Sequence, residues 1–246
     1  MLDGERRAEL VSSLGALRAR IADACVAVGR DARAVTLIAV TKTHPAADVA
    51  TLAALGVLDI GESRDQEASA KLAEVAELRR RAAAGDPIPD LRWHFVGRLQ
   101  SRKSRSVAAY AHAVHSLDRP ELVEQLAAGV TRAGRDRLDV FIQVSLDGDP
   151  ARGGVLDHDV ESLADTVAAQ AELRLRGVMA VAPMGADPHA AFAGLAEISA
   201  RLRAVHPQAG AISAGMSVDL EAAIKNGSTH VRVGSALLGR RSQVFS

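Results

Sequence analysis

Aromatic side chains are scarce: one Trp, one Tyr and four Phe make up 2% of the 246 residues, so the core must come mostly from Ala, Val and Leu. Cysteine is scarcer still. The single Cys25 excludes an intrachain disulfide and leaves no partner thiols for a structural zinc site. Thirty basic and thirty acidic side chains cancel, so no net field draws the chain to nucleic acid or to a membrane surface. No apolar run approaches the roughly 18 residues that a membrane span requires. The first residues, Met1-Leu2-Asp3-Gly4-Glu5-Arg6-Arg7, lack the apolar centre of a signal peptide. These absences lead to the expectation of a soluble, cytoplasmic protein.

What is present is alternation. Short β-prone runs fall near 35–41, 57–61, 92–96, 112–116, 138–145, 174–180, 210–213 and 229–233. Helical spacing fills most gaps, as in Val123, Leu126, Val130 and in Leu195, Ile198, Leu202, Val205. An opening helix carries the stripe Leu10, Leu14, Leu17, Ile21, Cys25, Val28, which reads Cys25 as a buried core residue. Eight β runs separated by helices predict an α/β fold, a single (β/α)8 TIM-type barrel over 1–246 with an extra N-terminal helix. An open doubly wound sheet is the alternative. The segments 82–89 and 147–154 are rich in Gly, Pro and Asp, and read as surface loops rather than linkers. Asp147 and Asp149 are then turn formers.

Lys42 follows the apolar run 35–40, and Pro45 blocks its extension and suits a helix start. A lysine at that end of a parallel strand faces the side where such folds hold ligands, and can attack an aldehyde to form a Schiff base. The plain alternative is a lysine that ends a strand and reaches into water. Near the C-terminus, Ile212-Ser213-Ala214-Gly215-Met216-Ser217 and Val231-Arg232-Val233-Gly234-Ser235 each run from a strand into a turn of small residues. Ser217 resembles the N-cap of the helix beginning near Leu220, and Gly234-Ser235 lead into a last helix. Such turns bind phosphate through backbone N–H groups. A phosphate site at one end and an amine at the other make pyridoxal phosphate (PLP) the economical ligand.

Six segments in order resemble the pyridoxal phosphate homeostasis protein family, also called the YggS/PROSC family. They are Ile38-Ala39-Val40-Thr41-Lys42-Thr43, Ile60-Gly61-Glu62-Ser63, the run Trp93 to Gln100, Gly177-Val178-Met179, Ser213 to Ser217, and Val231 to Arg240. The resemblance implies a barrel like the N-terminal domain of alanine racemase. It implies that Lys42 holds PLP as a Schiff base. Ser217 and the backbone of Gly234 and Ser235 would bind the phosphate, with Ser235 standing where the family usually has Thr. Arg232 would face the pyridine nitrogen, Ser213 would line the pocket floor, and Ser63 would lie beside the cofactor where Asn is usual. Arg102 likewise replaces a usual Asn.

An arginine at the pyridine nitrogen disfavours ring protonation and weakens the cofactor as an electron sink. The one tyrosine, Tyr110, lies late in a predicted helix, and no β-rich second domain supplies another. The resemblance therefore implies a PLP carrier and regulator without robust catalysis, balancing PLP and indirectly amino and keto acids. Expected partners are PLP and apo forms of PLP-dependent enzymes, the expected state is a monomer, and no metal is expected. Two other readings stay open: an amino-acid racemase using Lys42, and an aldolase-type barrel forming a Schiff base with a sugar phosphate. The run Arg98, Arg102, Lys103, Arg105 reads as a solvated helix start or an anion contact at the barrel mouth. His94, His112 and His115 read as strand-end or core histidines, without metal-ligand spacing.

Overall fold

Val, Ile and Leu concentrate in short runs that suit buried parallel strands. In the computed structural model, which describes residues 4–82 and 88–239, eight such strands pair in sequence order and close into a parallel barrel. The open-sheet alternative is thereby set aside. The strands are β1 (Thr36–Val40), β2 (Asp59–Glu62), β3 (Arg92–Phe95), β4 (Ala113–Leu117), β5 (Leu138–Gln143), β6 (Leu173–Met179), β7 (Ala211–Ser213) and β8 (His230–Val233). The register Leu37↔Val231 and Ala39↔Val233 joins β8 back to β1. The helices are α1 (Gly4–Val26), α2 (Ala46–Ala54), α3 (Asp65–Arg81), α4 (Ser104–Tyr110), α5 (Pro120–Arg132), α6 (Val160–Ala168), α7 (Pro188–Val205), α8 (Leu220–Lys225) and α9 (Ser235–Leu238).

Period-two alternation sorts each strand into two faces. On β3, Trp93 and Phe95 join the apolar clusters beneath the helices, whereas His94 and Arg92 line the barrel interior. Inside, Ala113, Phe141 and Met179 form only a small apolar plug. Helix α1 lays Leu10, Leu14, Leu17, Ile21 and the fully buried Cys25 against the barrel's helical layer. Arg20 ties it to Glu221 of α8 at 2.7 Å, and Arg6 to Asp48 of α2 at 2.7 Å. Val28 departs from the expected stripe, because α1 ends at Val26 and the chain turns away. Val205, at the end of α7, is likewise exposed while Leu195, Ile198 and Leu202 are buried.

Strand β5 stops at Gln143 rather than near 145, and Val144 makes an isolated bridge to Val155 instead. The segment between folds back over itself: Asp147 accepts from the Asp149 N–H and Arg152, and Asp149 from the Ala151 N–H. Both aspartates are turn formers on an exposed loop. Of the other expected loop, 83–87 lie outside the described residues, as does Arg240 of the last motif. No helix among the described residues is long and apolar enough to cross a membrane.

Candidate functional site

Strand β1 ends two residues before Lys42, so the lysine sits in a turn beyond the strand rather than on its last residue. Thr41 still pairs with β2 through its N–H to the Gly61 carbonyl, and the His44 N–H closes the turn on the Thr41 carbonyl. Thr43 takes a left-handed φ of 65° there. Lys42 is exposed at the C-terminal mouth.

A second lysine near the mouth is fully committed. Lys71 of α3, 5% exposed, donates to the Thr41 carbonyl at 2.6 Å, to Glu62 Oε1 at 2.5 Å and to Glu67 Oε1 at 3.2 Å. Thr41 Oγ1 also donates to Glu62 Oε1 at 2.6 Å, and Glu67 accepts from the Thr43 N–H. Burial raises the Glu62 carboxyl above its ordinary range, with Lys71 and Thr41 opposing. This cluster braces the turn that presents Lys42. All three Nζ–H groups of Lys71 are used.

Ser63 follows β2 and is half-buried. Gly97 makes this approach possible: a Cβ there would stand 2.1 Å from the Ser63 carbonyl oxygen. Between the β2 and β3 loops lies a cleft of about 500 Å³ lined by Ser63, Glu67, Phe95, Arg98, Arg102 and Lys103. The basic run thus borders the mouth, although Arg102 is held by Gln100 at 3.0 Å and Lys103 by Asp65 at 3.2 Å.

The two small-residue turns meet. Gly215 takes φ +92°, and a Cβ there would lie 2.7 Å from the Ala223 Cβ, so only glycine lets the β7 turn press on α8. Ser217 does not cap α8; Asp219 occupies the N-cap position and accepts from the Met216 N–H at 2.6 Å. Ser217 Oγ instead accepts from Ser235 Oγ and from the Ala236 N–H, each at 3.2 Å. Gly234 stands at the N-cap position of α9. The hydroxyls expected to bind phosphate are therefore side by side.

Arg232 points inward from β8 and is 5% exposed. Its Nη1 donates to the Ser213 carbonyl and to Ser213 Oγ, both at 2.7 Å, and its Nη2 to the Ala180 carbonyl at 3.0 Å. Burial lowers its pKa to about 10, with Asp219 opposing, so it remains a cation at neutral pH. Ser213 is fully buried behind Arg232 and holds it, rather than forming an open floor. Tyr110, in contrast, lies in the helical layer, packed against both large apolar clusters, and burial pushes its phenol up.

Lys71 and the interior histidines were not legible as functional residues. The available signal was the polar face of β2 and β3, where Asp59, Arg92 and His94 alternate with Ile60, Trp93 and Phe95. His94 and His115 are buried core residues, whereas His112 is exposed just before β4. No group of three or more His, Cys, Asp or Glu side chains that could hold a metal ion is found among the described residues.

The barrel and its mouth place the protein in the class whose family model is the N-terminal domain of alanine racemase, which matches residues 12–242. The pyridoxal phosphate homeostasis protein of Mycobacterium tuberculosis is 46% identical over 246 residues, covering 96% of this chain and 95% of that relative. The protein of the same name from Escherichia coli is 34% identical, covering 95% and 97%. PipY of Synechococcus elongatus, solved with PLP bound, superposes with a TM-score of 0.75 at 34% identity, covering 89% of this chain and all of that one. The chain belongs to the pyridoxal phosphate homeostasis protein family.

Proposed function

We propose that this protein binds PLP at the C-terminal mouth and keeps it for supply to other proteins, without turning over amino acids. The observation that carries the reading is Arg232. A buried guanidinium bound only to neutral acceptors, with no carboxylate paired to it among the described residues, is costly unless a ligand uses it. Three of its five N–H groups are spent, so two are left for an acceptor such as a ring nitrogen. The paired hydroxyls of Ser217 and Ser235 suit a phosphate, with the backbone at Gly234 and Ser235 beside them. Lys42, in the turn after the neighbouring strand β1, is the amine for the aldehyde, and Ser63 flanks it.

Bound there, PLP would supply an electron sink for bonds next to an amine nitrogen. The chain's own residues work against strong use of that sink. Arg232 would donate toward the ring and oppose a second positive charge there. Lys71 is committed to Glu62 and Glu67, and Tyr110 is in the helical layer, so neither serves as a second base opposite Lys42. The reading extends to one domain over 1–246, a cytoplasmic monomer, with apo forms of PLP-dependent enzymes as partners.

An absorption spectrum of the protein titrated with PLP, before and after borohydride, tests the reading. A band near the violet edge should give way on reduction to an adduct that mass spectrometry maps to Lys42. The adduct should be lost in Lys42→Ala, whose fold should persist because the side chain is exposed. An adduct on Lys103 or Lys225, or no band at all, would overturn the placement. An aldolase-type lysine gives no such band.

A further inference from the structure

The barrel interior contains a polar column that the mouth does not account for. Five strands contribute one residue each: Arg232 from β8, Ser213 from β7, His115 from β4, His94 from β3 and Asp59 from β2. Successive polar atoms lie within hydrogen-bond distance along its length. Arg232 Nη1 is 2.7 Å from Ser213 Oγ, which is 2.8 Å from His115 Nδ1. His115 Nε2 is 2.9 Å from His94 Nδ1, and His94 Nε2 is 2.9 Å from Asp59 Oδ1. Ser213 and His115 are fully buried, and His94 and Asp59 nearly so. His115 also stacks on Phe141 with ring centroids 4.3 Å apart, which fixes its plane. At the lower end Arg92 clamps Asp59 at 2.7 Å, and a cavity of about 250 Å³ opens to the opposite mouth of the barrel beside His112, Arg176 and His230.

The two ends set the direction of every hydrogen bond between them. Arg232 can only donate. Asp59 can only accept: burial would raise its carboxyl, but His94 and Arg92 outweigh that and hold it at about 2. Burial, with His94, Arg232 and His230 nearby, pushes His115 well below its ordinary value, so it is a neutral imidazole with one N–H. With one N–H on each imidazole, a hydroxyl and two rings set between an obligate donor and an obligate acceptor satisfy all links in one way only. Ser213 then gives its proton to His115, His115 carries its proton on Nε2, and so does His94. Ser213 Oγ therefore turns a lone pair to Arg232.

We propose that His115 and His94 are positioning residues for the ligand-facing guanidinium. They hold the Ser213 hydroxyl as an acceptor, which fixes Arg232 Nη1 and leaves Nε–H and one Nη2–H uncommitted for the ligand. The idea rests on PLP occupying the mouth. It predicts that His94, which does not touch Arg232, affects how PLP is held.

The test has two arms. In ligand-free protein with ¹⁵N-labelled histidine at about pH 8, above the ordinary imidazole value, long-range proton–nitrogen correlation should show Nε2–H and bare Nδ1 on both rings. An Nδ1–H tautomer on either ring overturns the proposal, and this arm needs no variant to fold. In the second arm, His94→Leu breaks the chain, whereas His94→Gln can accept from His115 and donate to Asp59. PLP affinity should fall about fivefold or more in His94→Leu, the scale of one buried hydrogen bond, and the bound band should shift its pH midpoint. His94→Gln should recover most of both. Unchanged affinity and midpoint in a folded His94→Leu, or equal losses in both variants, overturns the proposal alone. Failure of the unaltered protein to bind PLP would overturn the reading of the mouth and this proposal together.

Discussion

Replacing Lys71 with Met should destabilise the protein, and the deficit should depend on pH. The Nζ is buried against Glu62 Oε1 at 2.5 Å, and the two side chains are 5% and 1% exposed. Removing the lysine leaves the Glu62 carboxylate buried with Thr41 as its remaining donor, and also strips the Thr41 carbonyl of a partner. Breaking one side of a buried pair costs about 3–5 kcal/mol, because the other charge stays behind. For a chain of this size each kcal/mol moves the melting point by about 2–4 °C, so a fall of about 6–20 °C is expected near neutral pH. Burial already raises the Glu62 carboxyl, and Lys71 is the first of the groups that oppose this. In the variant the folded-state value rises further above the unfolded one. A carboxyl shifted this way favours folding in its protonated form, and that stability is lost as pH rises through the folded value. The deficit should therefore be smaller at about pH 5 than at about pH 7.5. Calorimetric melts of the variant and the parent at both pH values measure it. Adding Glu62→Gln to Lys71→Met removes the stranded charge and should restore much of the loss. A melting point within about 2 °C of the parent at neutral pH, or a deficit that does not change with pH, would refute the reasoning.

Ser217→Ala together with Ser235→Ala removes the hydroxyl pair at the β7 and β8 turns but keeps the backbone N–H groups. Hydrogen bonds to a charged group contribute about 1.5–3 kcal/mol each, so PLP affinity should weaken at least about tenfold without vanishing; an unchanged titration would move the phosphate elsewhere. Deuterium exchange from solvent into alanine or serine should stay near background, because Lys71 and Tyr110 are not free to act as a second base and Arg232 would oppose ring protonation. Exchange at about 1 s⁻¹ or faster, a rate typical of enzymes, would replace the carrier reading with a racemase or lyase.

Much of this molecule is legible in local pattern. Strand runs, helical stripes and turn residues depend on neighbours a few positions away, so the eight strands and the opening helix follow from the sequence, with ends shifted by one or two residues. The meeting of the two small-residue turns was legible for a related reason. In a parallel barrel every strand's C-terminal end faces the same mouth, so the turns after β7 and β8 meet there and bring Ser217 and Ser235 side by side.

Tertiary structure alone decided which partner each polar group takes. Lys71 lies within α3 among Glu67, Glu74 and Arg79, and nothing in its spacing distinguishes it from a solvated lysine; only packing against β1 and β2 buries it on Glu62. Ser217 looks like a helix cap in sequence, yet its hydroxyl reaches a turn 18 residues away. His115 and Ser213 are 98 residues apart, and their hydrogen bond exists because closing the barrel brings the inward faces of β4 and β7 together. Propensity acts along the chain, whereas desolvation and hydrogen-bond satisfaction act through space, so a buried charge finds its partner only when the barrel shuts.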